Sequence, residues 1–364
     1  MQATTQKIWQ RWVTWRDGSD NGRIFQAMLI VGGGTLVVNL TAFLRELAIA
    51  YQFGTSDELD AFIIAFMIPL FTISMIPGSL NPAFVPAYVN IKETQGEEAA
   101  ARLAGNILSS TLILTACVTA VLIAVSEYLL PAVASNFSEG KLALTLRLFY
   151  ILQPILLIRA VVDLLRGVLN SQDRFALPAM APALIYLVPT ILIFISGNVF
   201  LLAIGTLVGY TLQAILLWVT VARKNIKIRW QRPRLNHELK SFWGQYLPAV
   251  FGSLIMGSSN LIDQTMATWS GSGSVASLGY GQRVTTFVVG IAVMAVGTAV
   301  LPNFSKMIAE NRVQEIKRTL SFYTVVLFTS TIVAVGGLWW FSEPITRILF
   351  ERGAFTAADT AVVS

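Results

Sequence analysis

Two residue types that metal and redox sites draw on are nearly missing: Cys117 and His237 each occur once in 364 residues. A single cysteine excludes an intrachain disulfide, and together the two offer a zinc or redox-metal centre almost no ligands. Cys117 falls within the apolar run TLILTACVTAVLIAV, where a packed, inert thiol is expected. Charge is also scarce. Charged residues make up 13% of the chain and hydrophobic ones 55%, against about 25% and roughly 45–50% in soluble domains. With a mean hydropathy of +0.65, this balance excludes an ordinary soluble domain and defines a polytopic membrane protein. Nucleotide chemistry lacks its signature too. The run Gly32-Gly33-Gly34 follows no strand and has no P-loop lysine, so close helix packing accounts for it. Neither an enzyme nor a self-contained ATP-driven pump is expected, and no cofactor or metal.

What is present is a series of long apolar runs separated by short polar connections. The net charge of +6 would point to nucleic acid in a soluble protein, but here the basic residues gather in the connections, as membrane topology requires, and no nucleic-acid partner is expected. Residues 1–23 carry Lys7, Arg11, Arg16 and Arg23, with Trp9, Trp12 and Val13 at helical spacing. They read either as a short interfacial helix or as a solvated tail. The first apolar run, from about Ile24 to Phe53, is far longer than the roughly 7–15 residues of a signal-peptide core and reads as a retained span. With about 20 apolar residues needed to cross the hydrocarbon, spans are predicted near 27–52, 60–89, 103–126, 143–166, 177–196, 199–221, 246–268, 276–301 and 319–340.

An internal repeat organises these spans. AFVPAY at 83–88 resembles AVLPNF at 299–304, and PAVASNFSEG at 131–140 resembles PITRILFERG at 344–353. Six helices lie between the repeats, so both halves have the same orientation, the parallel-repeat arrangement of some transporters. The predicted fold is an all-α, two-lobed transporter helix bundle with parallel six-helix repeats. Its parts are a basic, aromatic N-terminal segment (1–23), an N-lobe of six transmembrane helices (24–222), a basic linker (223–245) and a partial C-lobe of three helices plus the start of a fourth (246–364). The second lobe is thus expected to be incomplete, whether as a fragment or as a naturally short protein.

Charges inside apolar spans mark candidate sites, because an ionisable group at membrane depth costs roughly 3 kcal/mol or more and normally faces a protein interior or a wet cavity. The stretch from Asn39 to Pro86 holds Arg45, Glu46 and Asp60, followed by Pro69, Pro77 and Pro82, which are expected to interrupt the second helix. Arg45 and Glu46 are neighbours about 100° apart on a helix and are not expected to neutralise each other along one face. Arg45 reads either as a cavity cation holding an anionic group or as half of an ion pair with a neighbouring helix. Asp60 stands at the mouth of the second span, where capping a helix N-terminus is the expected role and a cavity or coupling acid the alternative. Asp263 and Arg283 mirror these placements in the second half. Arg159, Asp163 and Arg166 fall at i, i+4 and i+7, and an interfacial ion-pair stripe is expected there rather than a substrate contact.

At these residues the chain resembles the MurJ/MviN family, the lipid II flippases of the multidrug/oligosaccharidyl-lipid/polysaccharide exporter superfamily. The resemblance runs from about Leu40 onward and rests on FLRELAIAYQFG, DAFIIAF with Pro69, GSLNPAFVPAYVNIKETQGEEA, GVLNSQDRFALPAMAP, SGSVASLGYGQRV, GTAVLPNFSK and ERGAFTAADTA. It implies a two-lobed bundle that moves an undecaprenyl-pyrophosphate-linked peptidoglycan precursor across the cytoplasmic membrane by alternating access, with the lipid-linked precursor and the bilayer as partners and the membrane potential or a monovalent ion as driving force. It also implies that Arg45 and Arg283 grip the pyrophosphate, while Glu46, Asp60 and Asp263 are possible coupling or cavity acids. A guanidinium fork suits that task, since it binds phosphate oxygens bidentately and keeps its charge when desolvated. The chain departs from the family pattern at Asn39, where an arginine is usual, at LFTISMI (70–76), which lacks an arginine pair, and at Gln282 and Thr286, where acids are common. A less charged cavity favours, as an alternative, another lipid-linked oligosaccharide or exopolysaccharide unit, and the incomplete second lobe offers a further one, a truncated, non-transporting scaffold.

Loop charge fixes the expected orientation. The 54–59 turn, Gly197-Asn198 and WSGSGSV carry no basic residue, whereas RKNIKIRWQRPRLNHELK carries seven. The N-terminus is therefore expected on the cytoplasmic side of a bacterial inner membrane, with the 223–240 loop inside and the 269–275 turn outside. Single cysteines at Asn225 and Ser272, in a Cys117→Ser background, test this with an impermeant thiol reagent applied to intact spheroplasts. Position 272 should label and 225 should not; the reverse pattern inverts the topology.

Overall fold

The computed structural model describes residues 20–230, 237–286, 307 and 313–364, and every regular element among them is helical. The basic, aromatic pattern of residues 1–19 and the repeat segment AVLPNF lie outside the described residues. In chain order the elements are α1 (Asp20–Phe53), α2 (Asp57–Met75), a 3-10 turn (Pro77–Ser79), α3 (Leu80–Gln95), α4 (Glu97–Val133), α5 (Glu139–Leu152), α6 (Pro154–Asn170), a short α7 (Ala176–Met180), α8 (Ala183–Ser196) and α9 (Val199–Arg223). Then come α10 (His237–Ala267), α11 (274–286), α12 (Val313–Phe350) and α13 (Ala357–Val363). Among the described residues, seven segments are long and apolar enough to cross a membrane. They form two compact units, one of residues 1–49 and 61–270, the other of 50–60 and 271–364.

The core of the first unit is built where α3, α4, α6 and α10 meet. Leu80, Phe84, Ala100, Leu103, Ile107, Leu164, Val168, Phe242 and Tyr246 are buried together there. The break between α2 and α3 falls at one proline, not three. Pro69 is carried inside α2 and Pro82 inside the first turn of α3, while the helix gives way at Pro77. There the N–H of Leu80 turns back to the Pro77 carbonyl. The Ile76 carbonyl instead accepts the Tyr246 hydroxyl at 2.8 Å, which ties α10 to the break.

α4 shows why apolar periodicity misleads inside a bilayer. Its inward face carries Thr111, Thr115, Thr119 and Ser126, all buried, while Ile113, Val121 and Ile123 point outward. The hydroxyls of Thr115 and Thr119 bond back to the carbonyls of Thr111 and Thr115 at 2.9 and 2.7 Å, so small polar side chains pack between helices while the apolar ones meet lipid. Cys117 lies off that stripe and is exposed, contrary to the packed thiol expected from its apolar neighbours. The glycine run is also only partly a packing device. A Cβ on Gly34 would meet that of Ala179 at 2.9 Å, whereas Gly32 and Gly33 have nothing within 4 Å. α8 and α9 pack most tightly through Gly205 and Gly209, a G-x-x-x-G pair, whose added Cβ atoms would meet Pro189 Cα at 2.6 Å and the Leu184 carbonyl oxygen at 2.8 Å.

In the second unit three of the resembling stretches converge: the turn after Phe53, SGSVASLGY and ERGAFTAADTA. The N–H of Ala354 donates to the Tyr51 carbonyl at 2.8 Å, the Tyr280 hydroxyl donates to the Gly54 carbonyl at 2.9 Å, and Tyr280, Phe350 and Phe355 stack in a triangle with centroids 5.1 to 5.9 Å apart. A capping box of Thr356 and Asp359 starts α13. The repeat is visible in the long helices: α4 and α12 have 37 and 38 residues, and each carries a proline near its C-terminal end, Pro131 and Pro344.

One contact in the first unit has no tolerance. After α9 the chain turns back and crosses α4, with the Arg229 N–H on the Ala101 carbonyl at 3.2 Å. A Cβ on Gly105 would lie 1.7 Å from the Arg229 carbonyl oxygen, and backbone on backbone cannot be relieved by a rotamer change. Gly105→Ala is therefore expected to lift residues 226–230 off α4. Trypsin cleavage after Lys227 and Arg229 should accelerate in the purified variant, and a cleavage rate equal to wild type would show that the crossing tolerates a methyl group.

Candidate functional site

The first unit gathers its charges inside the bundle. Arg45 on α1 is 8% exposed and its Nη2 lies 2.7 Å from Glu46 Oε1. The expectation that these neighbours cannot neutralise each other is therefore corrected. The arginine stem is long enough to carry the guanidinium around the roughly 100° step between them, and burial makes leaving either charge unpaired far more costly than bending the stem. The guanidinium also sits 5.2 Å from the centroid of the Tyr186 ring on α8. Its Nε is buried and has no hydrogen-bond partner among the described residues.

α6 supplies a second group of charges. Arg159 Nε is 2.7 Å from Asp163 Oδ2, and Arg166 Nη1 is 3.5 Å from Asp163 Oδ1. The i, i+4, i+7 ion-pair stripe forms as expected, with the Asp163 side chain only 2% exposed. α6 is packed by α3, α4 and α9, so its charged face looks into the bundle. Asn81 on α3 donates to the Asp163 carbonyl at 3.1 Å. Tyr210 on α9 is buried within electrostatic reach of Arg45, Arg159, Asp163 and Tyr186 and links the two groups. Gln213, one turn further on, is fully buried, and neither of its amide atoms has a partner among the described residues. Sequence reasoning missed the two tyrosines and Gln213. Their only signal is a polar residue inside the apolar runs ALIYLVP and GYTLQAIL.

Asp60 is fully buried in the second unit. Its Oδ2 accepts the Gly273 N–H and its Oδ1 the Ala276 N–H, each at 2.8 Å. It is thus a cap, as expected, but of α11 and not of its own helix, whose start is served by the Ser56 hydroxyl accepting the Leu59 N–H at 3.4 Å. Next to it the Ser272 hydroxyl donates to Asp57 at 2.7 Å, and the Thr55 hydroxyl donates to Asp359. Burial alone would raise the pKa of Asp359. Hydrogen bonds from Thr55 and from the Thr356 amide and hydroxyl outweigh that and hold the carboxyl below the ordinary range.

The remaining predicted residues are not drawn into either cluster. Asp263 is exposed on the last turns of α10, and Arg283 is exposed on α11. Arg45 and Glu46 belong to the first unit and Arg283 to the second.

The bundle of long apolar helices with charges in its interior has the fold of a multi-pass transporter. It is similar to the solved structure of the lipid II flippase MurJ in an inward closed conformation, with TM-score 0.75 and 23% identity over 92% of this chain and 70% of that one. It is also similar to an inward-facing multidrug resistance MATE transporter of the MOP superfamily, with TM-score 0.69 and 17% identity over 90% of this chain and 78% of that one. The family model for lipid II flippase MurJ matches residues 49–364, and the chain belongs to the MurJ family. Its relatives include the probable lipid II flippases MurJ of Rhizobium meliloti (30% identical, 92% of this chain, 64% of the relative) and Rhizobium tropici (28%, 93% and 66%). The lipid II flippase MurJ of Burkholderia cenocepacia is 29% identical over 94% of this chain and 68% of its own length. The chain thus spans about two thirds of the length of these relatives. The family match begins after Arg45 and Glu46 and includes Asp60, Asp263 and Arg283.

The cap geometry makes a direct prediction. Asp60→Ala orphans the amides of Gly273 and Ala276 in a buried setting, at a cost of about 1–3 kcal/mol for each group, while Asp60→Asn keeps one acceptor. Thermal midpoints in detergent should fall in the order wild type, Asn, Ala, with faster amide exchange at 273–276. Wild-type exchange there in the Ala variant would deny Asp60 this role.

Proposed function

We propose that the protein moves an undecaprenyl-pyrophosphate-linked peptidoglycan precursor from the cytoplasmic to the outer leaflet by alternating access, with the N-terminus cytoplasmic and the membrane potential or a monovalent ion as the driving force. The relatives are named as lipid II flippases, and a pyrophosphate needs a cation that survives desolvation. The observation that carries the reading is Arg45. It is a buried guanidinium that commits one nitrogen to Glu46 and leaves Nε without a partner among the described residues. An arriving phosphate oxygen can take that donor, and the cost of burying the guanidinium has already been met. Arg283 is the proposed second contact, and Glu46 is the acid that charge-balances Arg45 when no anion is bound.

Binding of purified protein to the undecaprenyl-pyrophosphate disaccharide-pentapeptide tests the reading, with undecaprenyl pyrophosphate bearing a different glycan as the second arm. Arg45→Ala and Arg283→Ala should each weaken binding per folded molecule about 10- to 150-fold, the equivalent of one charge-assisted contact of about 1.5–3 kcal/mol. Lysine should restore only part, since it lacks the planar fork. If Arg45 is merely half of a structural ion pair, the Ala variant will lose abundance but bind normally per folded molecule, and Glu46→Gln in the same chain will restore its yield.

A further inference from the structure

A basic, aromatic pocket in the first unit has no part in the clusters above. α9 presents Ile204, Val208, Leu212, Ile215 and Val219 outward, and Trp218 on the same helix is 51% exposed. Five residues beyond Trp218, about 7.5 Å along the helix, come Arg223 and Lys224. Asn225 then takes a left-handed conformation, with φ of 54°, and the Ile226 N–H returns to the Val221 carbonyl at 3.2 Å. The chain runs back with alternating sides. Ile226 and Ile228 pack onto the core, while Lys227 and Arg229 are exposed. A pocket of about 350 Å³ lies in this fold-back, walled by Trp218, Val221, Ile226 and Ile228 and rimmed by Lys227 and Arg229. Arg229 is committed to Glu98 at 3.0 Å, and the other carboxylate nearby, Glu97, faces Lys92 at 3.6 Å. Among the described residues, Arg223, Lys224 and Lys227 make no ion pair.

We propose that this pocket is a binding site for the headgroup of an anionic phospholipid from the surrounding leaflet. The ordering of chemistry along α9 matches that of a lipid. An apolar stripe meets acyl chains, an indole sits at the depth of the ester region, and uncommitted ammonium and guanidinium groups stand at the depth of the phosphate. A soluble anion would gain nothing from the apolar wall, whereas a lipid uses both parts. The site depends on the membrane placement of α9 and is independent of the substrate reading, because it shares no residue with the Arg45 cluster.

The test uses the full chain, purified in detergent and titrated with phosphatidylglycerol, phosphatidylcholine or glycerol 1-phosphate, with bound species counted by native mass spectrometry. Phosphatidylglycerol should bind at least tenfold more tightly than phosphatidylcholine, and raising the salt should narrow the gap. The double variant Lys224→Gln, Lys227→Gln should lose about tenfold or more of that preference, since each basic residue near an anionic surface is worth about fivefold (about 1 kcal/mol). The double Lys→Arg variant should retain it, and both lysines are exposed, so the thermal midpoint should not move. Equal phosphatidylglycerol binding by wild type and the Gln variant overturns the site. Displacement of phosphatidylglycerol by glycerol 1-phosphate at similar concentration overturns the lipid and leaves a simple phosphate site.

Discussion

Leaving a polar group without a partner is costly where water is absent, and this constraint accounts for most of what is distinctive in the structure. The carboxylate of Asp60 is fully buried because two backbone amides of the α11 start meet it. Asp163 is buried because two arginines on its own helix close over it. The Ile76 carbonyl, bypassed when Leu80 turns to Pro77, is met by a tyrosine from α10. Asp163 is served within its own helix, whereas at Asp60 and Ile76 an acceptor is satisfied by a distant element, and the satisfied pair then fixes how those elements pack.

The same constraint separates two kinds of charge. Asp60 is spent on backbone geometry, with both oxygens occupied, so its loss should be felt as a disordered helix start. Arg45 is only partly spent, because its carboxylate partner takes one nitrogen while Nε remains buried without a partner among the described residues. A fork in this state still has a donor to offer, which is what the anion recognition proposed above requires. On α6 the Asp163 carboxylate is held by both Arg159 and Arg166, although Arg166 Nε too is buried without a partner among the described residues, and this triad is suited to holding α3, α6 and α9 in register.

Several of the stretches that carry the family resemblance are structural devices. SGSVASLGY supplies the capped start of α11, and ERGAFTAADTA supplies the turn and capping box that return the chain after α12. Their residue types follow from turn and cap chemistry. A reader of the sequence therefore recognises the fold from them more securely than the substrate, whose chemistry rests on fewer side chains.

The sequence by itself determined the class: the scarcity of charge, the length of the apolar runs and the doubled proline and glycine pattern lead to a helical membrane bundle built from repeats. It also determined which residues were anomalous, since Arg45, Glu46, Asp60 and Asp163 are charges in apolar surroundings whatever the packing. Only the tertiary structure decided their partners. Sequence spacing describes a helix surface, whereas the partner of Asp60 stands more than 200 positions away and that of Arg45 is reached by a bend in its own side chain. Tertiary packing also decided which face of α4 is inside, because in a bilayer the apolar side of a helix belongs to lipid and the small polar side to its neighbours. That inversion is why Cys117 lies outward and why Tyr186 and Tyr210, unremarked in their apolar runs, lie at the centre of the charged cluster.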